Sequence, residues 1–332
     1  MLIQRPEGLY CPAGNFYIDP SRAVDHAVIT HAHSDHARRG SKQYYCTTSG
    51  ESLLRSRIGQ KISARAIAFG EPFILGEVRL SFHPAGHILG SAQVRMEHQG
   101  KVWVASGDYK RDPDPTCEPF EVVTCDVFVT EATFGTPGFR WKKGADLGRE
   151  IYEWWRDNNR RGVNSLVFAY SLGKAQRVLG ELWPHMPQPV YIHPSVTELT
   201  ECYRAQGIDL APTICLSTVP ETERFEGELV LAPQSFLKTT HAAVLGDNYK
   251  TAFASGWMAR GTHGYDQGFL MSDHADWDDL LQTIQQTKAR RIYVQHRDGA
   301  LVRHLKALGL EAMPVSELVP LPPGRAEQLS LF

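Results

Sequence analysis

Thr30-His31-Ala32-His33-Ser34-Asp35-His36 packs three histidines and an aspartate into six residues, directly after the apolar run Ala27 to Thr30. Imidazole and carboxylate are the donors that hold zinc and similar borderline metals. Alternate side chains of a loop leaving a strand point in different directions, so His31 and His33 can serve one ion while Asp35 and His36 serve another. Further ligands must then come from distant sequence. Two segments offer them in strand-to-loop settings, Pro84-Ala85-Gly86-His87 and Ser106-Gly107-Asp108-Tyr109, and a carboxylate such as Asp108 can bridge two ions. A metal ion held this way acidifies its bound water.

The elements needed to position these residues are visible as patterns. Up to about residue 130 the chain reads as short strands broken by turn signals: FYIDP, AVITHAH, VRLSFHPAGH, AQVRMEH, KVWVASGD and DVFVTEATFG. AVIT, VWVA and DVFVT are apolar throughout, which predicts sheets covered on both faces. ESLLRSRI has a helical period. From about residue 145 longer helical patterns alternate with single strands: DLGREIYEWWRDNNRRG, SLVFAY, GKAQRVLGELWPHM, PVYIH and SVTELTECYRAQG. That βαβ rhythm predicts a parallel sheet. LVLAPQ, YKTAFASGW, DWDDLLQTIQQTKA, RIYVQH and DGALVRHLKALG follow, and the PLPPG tail reads as an exposed end.

With 332 residues, 42% hydrophobic and 22% charged, the chain has the composition of a globular protein of roughly two domains. Thirty-five basic against 37 acidic side chains exclude a globally cationic nucleic-acid binder. Binding to a polyanion would need a local patch, and residues 31–65 hold seven basic side chains against Asp35 and Glu51. Solvated charge on a helix and its flanks is the competing reading of that run. Six cysteines without a C-x-x-C pair predict reduced thiols rather than a disulfide framework. No leader pattern and no run of 18 apolar residues occurs, which predicts a cytoplasmic protein without a membrane partner.

Two small-residue turns suit nucleic-acid contacts. In Ala169-Tyr170-Ser171-Leu172-Gly173-Lys174 a strand passes into a helix, so Ser171 and Lys174 could anchor a terminal phosphate, with an ordinary N-cap at Ser171 as the alternative. Ser255 and Gly256, before Trp257, could lie against the backbone of the strand being cut, and Trp257 could stack on a base or belong to the core.

Taken in order, FYIDP, THAHSDH, PAGHILGSA and SGDYKR resemble the metal-binding motifs of the metallo-β-lactamase superfamily. TEATFG, MSDHADWDD and YVQHRDG resemble the additional motifs of its β-CASP nucleases, which act on DNA or RNA, and the chain is most similar to bacterial ligase-associated DNA exonucleases. The resemblance implies an α/β fold, an αββα sandwich with an inserted parallel-sheet β-CASP domain: residues 1–165 and 263–332 forming the sandwich, and 166–262 the insertion. It also implies two Zn²⁺ ions, with Mn²⁺ as an alternative. His31, His33, His87 and Asp108 would bind the first; Asp35, His36, Asp108 and His296 would bind the second. Asp19 would orient a metal-bound histidine. His274 would contact the scissile phosphate or protonate the leaving oxygen, held by Glu131.

The function implied is a DNA exonuclease in repair, with 5′ polarity favoured and a DNA ligase or helicase as candidate partner. A β-CASP ribonuclease is the alternative, because His296 stands where DNA-cleaving relatives often carry valine. A small-molecule hydrolase of the superfamily ranks below both.

Overall fold

The computed structural model describes residues 1–141, 143–220, 222–295 and 299–318. Its strands are β1 (Ile3–Arg5), β2 (Gly8–Cys11), β3 (Phe16–Ile18), β4 (His26–Val28), β5 (Gln43–Thr47), β6 (Ala64–Ile67), β7 (Phe73–Leu75), β8 (Val78–Pro84), β9 (Ala92–His98), β10 (Lys101–Ala105) and β11 (Val127–Thr130). After these come β12 (Asn164–Phe168), β13 (Val190–Ile192), β14 (Thr213–Cys215), β15 (Leu229–Ala232), β16 (Tyr249–Ala254), β17 (Gln267–Phe269), β18 (Arg291–Val294) and β19 (Glu311–Pro314). The helices are α1 (Glu51–Ile58), α2 (Leu147–Asn159), α3 (Lys174–Leu182), α4 (Pro194–Ala205), α5 (Trp277–Thr287) and α6 (Gly299–Ala307).

Three sheets result. The first runs β1 to β6 in sequence order, and the second runs β19-β18-β11-β10-β9-β8-β7. The apolar runs divide their side chains between the layers as the two-residue period of a strand requires. Val28, Trp103, Ala105, Val127 and Val129 join one core between the two sheets. Their neighbours turn outwards: Ala27 and Ile29 pack with Leu54 and Ile58 of α1, while Val104, Phe128 and Ile292 pack with α5 and α6. Helix, sheet, sheet and helix therefore stack as four layers, the αββα arrangement.

The third sheet, β14-β13-β15-β12-β16-β17, is parallel at every pairing. Helices α2, α3 and α4 cover one face of it. Their shared core also takes in Ala32, Leu53, Ile88 and Leu89 of the sandwich, so an apolar seam joins the two units. Local signals agree with these helices: Asp146 accepts from the Arg149 amide to cap α2, Pro194 opens α4, and Asp276 accepts from the Asp279 amide to cap α5. The six cysteines are free thiols, and among the described residues no helix is long and apolar enough to cross a membrane.

Beside the seam lies a buried ionic network. The side chains of Lys110 and Asp114, from the loop after β10, are 1% and 4% exposed and form a short ion pair. Asp114 also faces Arg177 of α3 at 3.5 Å and accepts from the Thr116 amide and hydroxyl. Burial would raise the Asp114 carboxyl, but Lys110 and Arg177 outweigh it and hold it below the ordinary carboxylate range. Removing this carboxylate strands the buried Lys110 ammonium and takes away one of the carboxylates facing Arg177, so Asp114→Ala should cost about 3–5 kcal/mol of stability at pH 7 in urea titrations. Because the folded-state pKa is depressed, the wild-type advantage is complete above about pH 4–5 and shrinks as pH falls through the folded value. A difference below about 0.5 kcal/mol at pH 7, in the range of an ordinary surface substitution, would contradict this role.

Candidate metal centre

The chemistry-bearing residues sit on loops that leave the C-terminal ends of strands. The loop after β4 carries His31 to His36, that after β8 carries His87, that after β10 carries Asp108, and Glu131 directly follows β11. From the third sheet come the turns after β12 and β16 and, following β17, the segment with His274. Two glycines permit the close approach. Gly86 (φ +73°) would place a Cβ 2.4 Å from the Lys110 carbonyl oxygen, and Gly107 (φ +57°) would place one 2.7 Å from Thr30 Cβ. In the β8 loop the Ser91 hydroxyl accepts from the amides of His87 and Ile88, fixing the turn.

His31 Nε2, His33 Nδ1 and His87 Nε2 converge, with His33 Nδ1 3.0 Å from each of the other two. Asp108 Oδ2 lies 3.6 Å from His31 Nε2 and 3.8 Å from His87 Nε2. The outward nitrogens show which atoms carry protons. Thr30 Oγ1 donates to Asp19 Oδ2 at 2.5 Å and is left to accept from His31 Nδ1 at 3.0 Å. His33 Nε2 donates to the Leu172 carbonyl at 3.2 Å, and His87 Nδ1 donates to the Asp273 carbonyl at 2.7 Å. A neutral imidazole has one N–H, so all three inward nitrogens present lone pairs to one another. Burial first, then neighbouring imidazoles, pushes His31 and His87 well below the ordinary histidine range; burial also lowers His33.

Three facing lone pairs and a carboxylate repel unless a cation sits among them. Tetrahedral zinc with bonds of about 2.0–2.1 Å sets its donors about 3.3–3.4 Å apart, which the observed spacings bracket. The four residues therefore fit a divalent ion, and they form a cluster whose ligand atoms all lie within 4.8 Å of one another.

Adjacent to them, His36 Nε2 is 3.3 Å from Asp108 Oδ2 and 3.7 Å from Asp35 Oδ2, while His36 Nδ1 donates to Asp19 Oδ2 at 2.8 Å. Burial opposes the charge on His36, yet Asp108 and Asp19 raise it well above the ordinary range. Asp108 is held well below its ordinary value, burial being outweighed by His36 and the other imidazoles. Asp35 stands at the rim, its side chain 70% exposed. His296, expected in this second group, lies outside the described residues. Asp19, in left-handed backbone (φ 45°), accepts from His36 and from both the amide and hydroxyl of Thr30, so it reaches His31 through Thr30.

Across the cluster, His274 Nδ1 donates to Glu131 Oε2 at 2.9 Å, and fully buried Glu131 also accepts from the Tyr109 amide at 2.6 Å. Burial works against a charged His274, but Glu131 overrides it and raises the pKa to about 9. The His274 ring lies tilted beside His87, centroids 4.8 Å apart, and edge-on to Phe134 at 6.0 Å.

These groups open into a cavity of about 680 Å³ whose far wall includes Tyr170, Ser171, Lys174, Ser255, Gly256 and Trp257. Ser171 Oγ is 2.9 Å from Ser195 Oγ, and it does not cap α3: Gly173 does, its amide donating to Gln176 Oε1. Lys174 departs from its expected role as a phosphate anchor. It is buried, with Nζ 2.7 Å from both the Met271 carbonyl and the Asp273 carboxylate, and burial lowers its pKa to about 8 despite that carboxylate. Its charge is already matched by the protein. Gly256 approaches so closely that a Cβ would fall 2.7 Å from Phe134 Cζ, and Ser255 Oγ accepts from the Trp257 amide. Trp257 is half-buried against Phe134 and Phe139, as well as facing the cavity. Of the basic run, Arg57 lines the cavity, whereas Lys42 pairs with Asp25 and Arg55 with Glu51.

Thr30 and Asp273 also contact the imidazoles of the cluster, and the sequence alone does not single them out. Thr30 had a signal in its place between the strand and the first histidine. Asp273 acts through its backbone carbonyl on His87, which no side-chain pattern reveals.

A four-layer αββα sandwich with a histidine-rich loop at its strand ends is the architecture of the metallo-β-lactamase superfamily. The similarities of the chain point to the β-CASP branch of that superfamily. Over 320 residues it is 29% identical to a protein from Opitutus terrae named probable DNA ligase, covering 93% of this chain and 30% of that protein. It is 26% identical over 181 residues to an RNase J-like protein from Methanocaldococcus jannaschii, covering 48% of this chain and 43% of the relative. The chain thus spans less than half the length of either relative. Its fold is similar to a crystal structure of a protein of unknown function from Enterococcus faecalis (TM-score 0.52, 12% identity, 81% of this chain and 74% of the other). No protein-family model matches the chain.

If the imidazole cluster is a metal centre, loading must stabilise the fold by mass action. Zn²⁺ at about 100 times its dissociation constant should add about 2.7 kcal/mol, read as a rise in melting temperature. His31→Ala and His33→Ala should abolish that rise; a wild-type protein indifferent to Zn²⁺ and Mn²⁺ would remove the centre.

Proposed function

We propose that the chain is a metal-dependent phosphodiesterase that acts on nucleic acid, with DNA as its substrate and exonucleolytic cleavage, favoured from 5′ ends, as its mode. The observation that carries this reading is a cavity with three imidazole lone pairs and a carboxylate on one side and a protonated His274 on the other. His31, His33, His87 and Asp108 would hold one Zn²⁺; His36, Asp108, Asp35 and His296 would hold a second, with Mn²⁺ as an alternative. Metal ions there would supply acidified water and positive charge for a phosphodiester.

The remaining work falls to the chain's own residues. His274 keeps its proton at neutral pH because Glu131 stands behind Nδ1, which leaves Nε2–H free to donate to the departing oxygen as its bond to phosphorus breaks. Glu131 holds the ring's orientation through its contact with Nδ1. Asp19 fixes His36 directly and His31 through Thr30, so donor directions are set before substrate arrives. Tyr170, Ser171, Ser255 and Gly256 line the path the strand would follow, and Arg57 offers a cation at its edge.

One observation supports DNA. The match along 93% of the chain is to part of a protein named as a DNA ligase, which also makes a ligase a candidate partner and repair the setting. Favouring RNA instead are the RNase J-like name of the other relative and the histidine at position 296.

His274→Ala should lower turnover by about 10²–10⁴-fold while bound zinc, measured by elemental analysis, stays near the wild-type amount. Loss of both ions in that variant would reassign His274 as a ligand. End-labelled single-stranded DNA and RNA of one sequence, digested side by side, decide the substrate: faster loss of DNA is expected, and faster loss of RNA overturns that choice.

A further inference from the structure

Three consecutive carbonyl oxygens each accept from a different buried side chain. Met271 accepts from Lys174 Nζ at 2.7 Å, Ser272 from Arg177 Nη1 at 2.5 Å, and Asp273 from His87 Nδ1 at 2.7 Å. The Asp273 carboxylate completes the arrangement, 2.7 Å from Lys174 and 3.8 Å from Arg177. His274 is the next residue, and the Ala275 amide then donates to the Tyr109 carbonyl at 2.7 Å. Residues 271–275 thus form a strap pinned at successive peptides, leading from the third sheet into the metal centre.

Lys174 and Arg177 are three residues apart in the first turn of α3, hence on one face of it. They are 3% and 5% exposed. Buried ion pairs give little net stability compared with apolar packing of the same volume. What they do give is direction: a guanidinium or ammonium donates to particular oxygens, whereas an apolar contact tolerates sliding. A slip of about 1 Å in the strap would turn the His87 ring away from its donor direction and move His274 from the cavity, an error that can cost about 10²-fold in rate.

We propose that Lys174 and Arg177 are positioning residues that fix the register of the Met271–Asp273 strap, and through it the orientation of His87 and the reach of His274. They tie the seating of the third-sheet unit to assembly of the metal centre. The effect on turnover rests on the nuclease reading; the effects on the strap and on metal affinity do not.

The test uses the full chain with Arg177→Met, Lys174→Met and the conservative Arg177→Lys. Amide hydrogen exchange of the 271–275 peptide should quicken at least tenfold in the methionine variants, with other core peptides unchanged. Zn²⁺ affinity, measured by competition with a chromophoric chelator, should fall about 10–100-fold. Turnover should fall with it while KM stays within twofold, and Arg177→Lys should recover part of each loss. Should Arg177→Met fail to fold by circular dichroism, Lys174→Met carries the comparison. Wild-type exchange in 271–275 together with wild-type Zn²⁺ affinity in a folded variant would overturn the proposal. Altered exchange and affinity in a protein that cleaves neither DNA nor RNA would leave the strap standing and remove the nuclease reading.

Discussion

Repulsion among the inward nitrogens of His31, His33 and His87 governs this molecule. Each ring is locked by an acceptor on its outer side, the Thr30 hydroxyl, the Leu172 carbonyl and the Asp273 carbonyl, so none can turn its proton inwards to relieve the crowding. The three acceptors come from three separate parts of the chain, and two of them lie on the third-sheet side. The fold therefore stores a demand for a cation that neither unit creates alone.

The architecture meets the geometric side of that demand economically. Strands β4, β8, β10 and β11 end at the same edge of the sandwich, and their alternation buries apolar residues on both faces while leaving the loops beyond them free for polar chemistry. The apolar seam around Ile88, Leu89, Val178 and Leu179 then holds α3 against the loop that carries His87. Glu131 sits where β11 ends, so the partner of His274 is set by the sheet itself. Rigid strands thus place the donors, and the buried ionic groups at the seam set the angles.

Much of this was legible in the sequence because it rests on spacing. The H-x-H-x-D-H run, the strand-to-loop settings of His87 and Asp108, and the change from strand-rich to βαβ texture near residue 145 all rest on residue order. The long helices α2 and α5 announce themselves by period and by their aspartate caps. The short strands β5 and β6 did not, since QYYCT and ARAI are too brief and too mixed to separate from loop. Lys174 was misread for a physical reason: sequence shows that a residue is charged, not that a carboxylate 2.7 Å away already answers the charge. The roles of the Leu172 and Asp273 carbonyls were invisible because every residue has one, and only tertiary structure selects which is used.

Anomalous diffraction at the zinc edge, from crystals grown with Zn²⁺, addresses the central claim directly. The account predicts a peak about 2.0–2.1 Å from His31 Nε2, His33 Nδ1 and His87 Nε2, with Asp108 completing its ligands. Imidazoles that keep their present spacing around a water molecule, with zinc bound elsewhere or not at all, would contradict it.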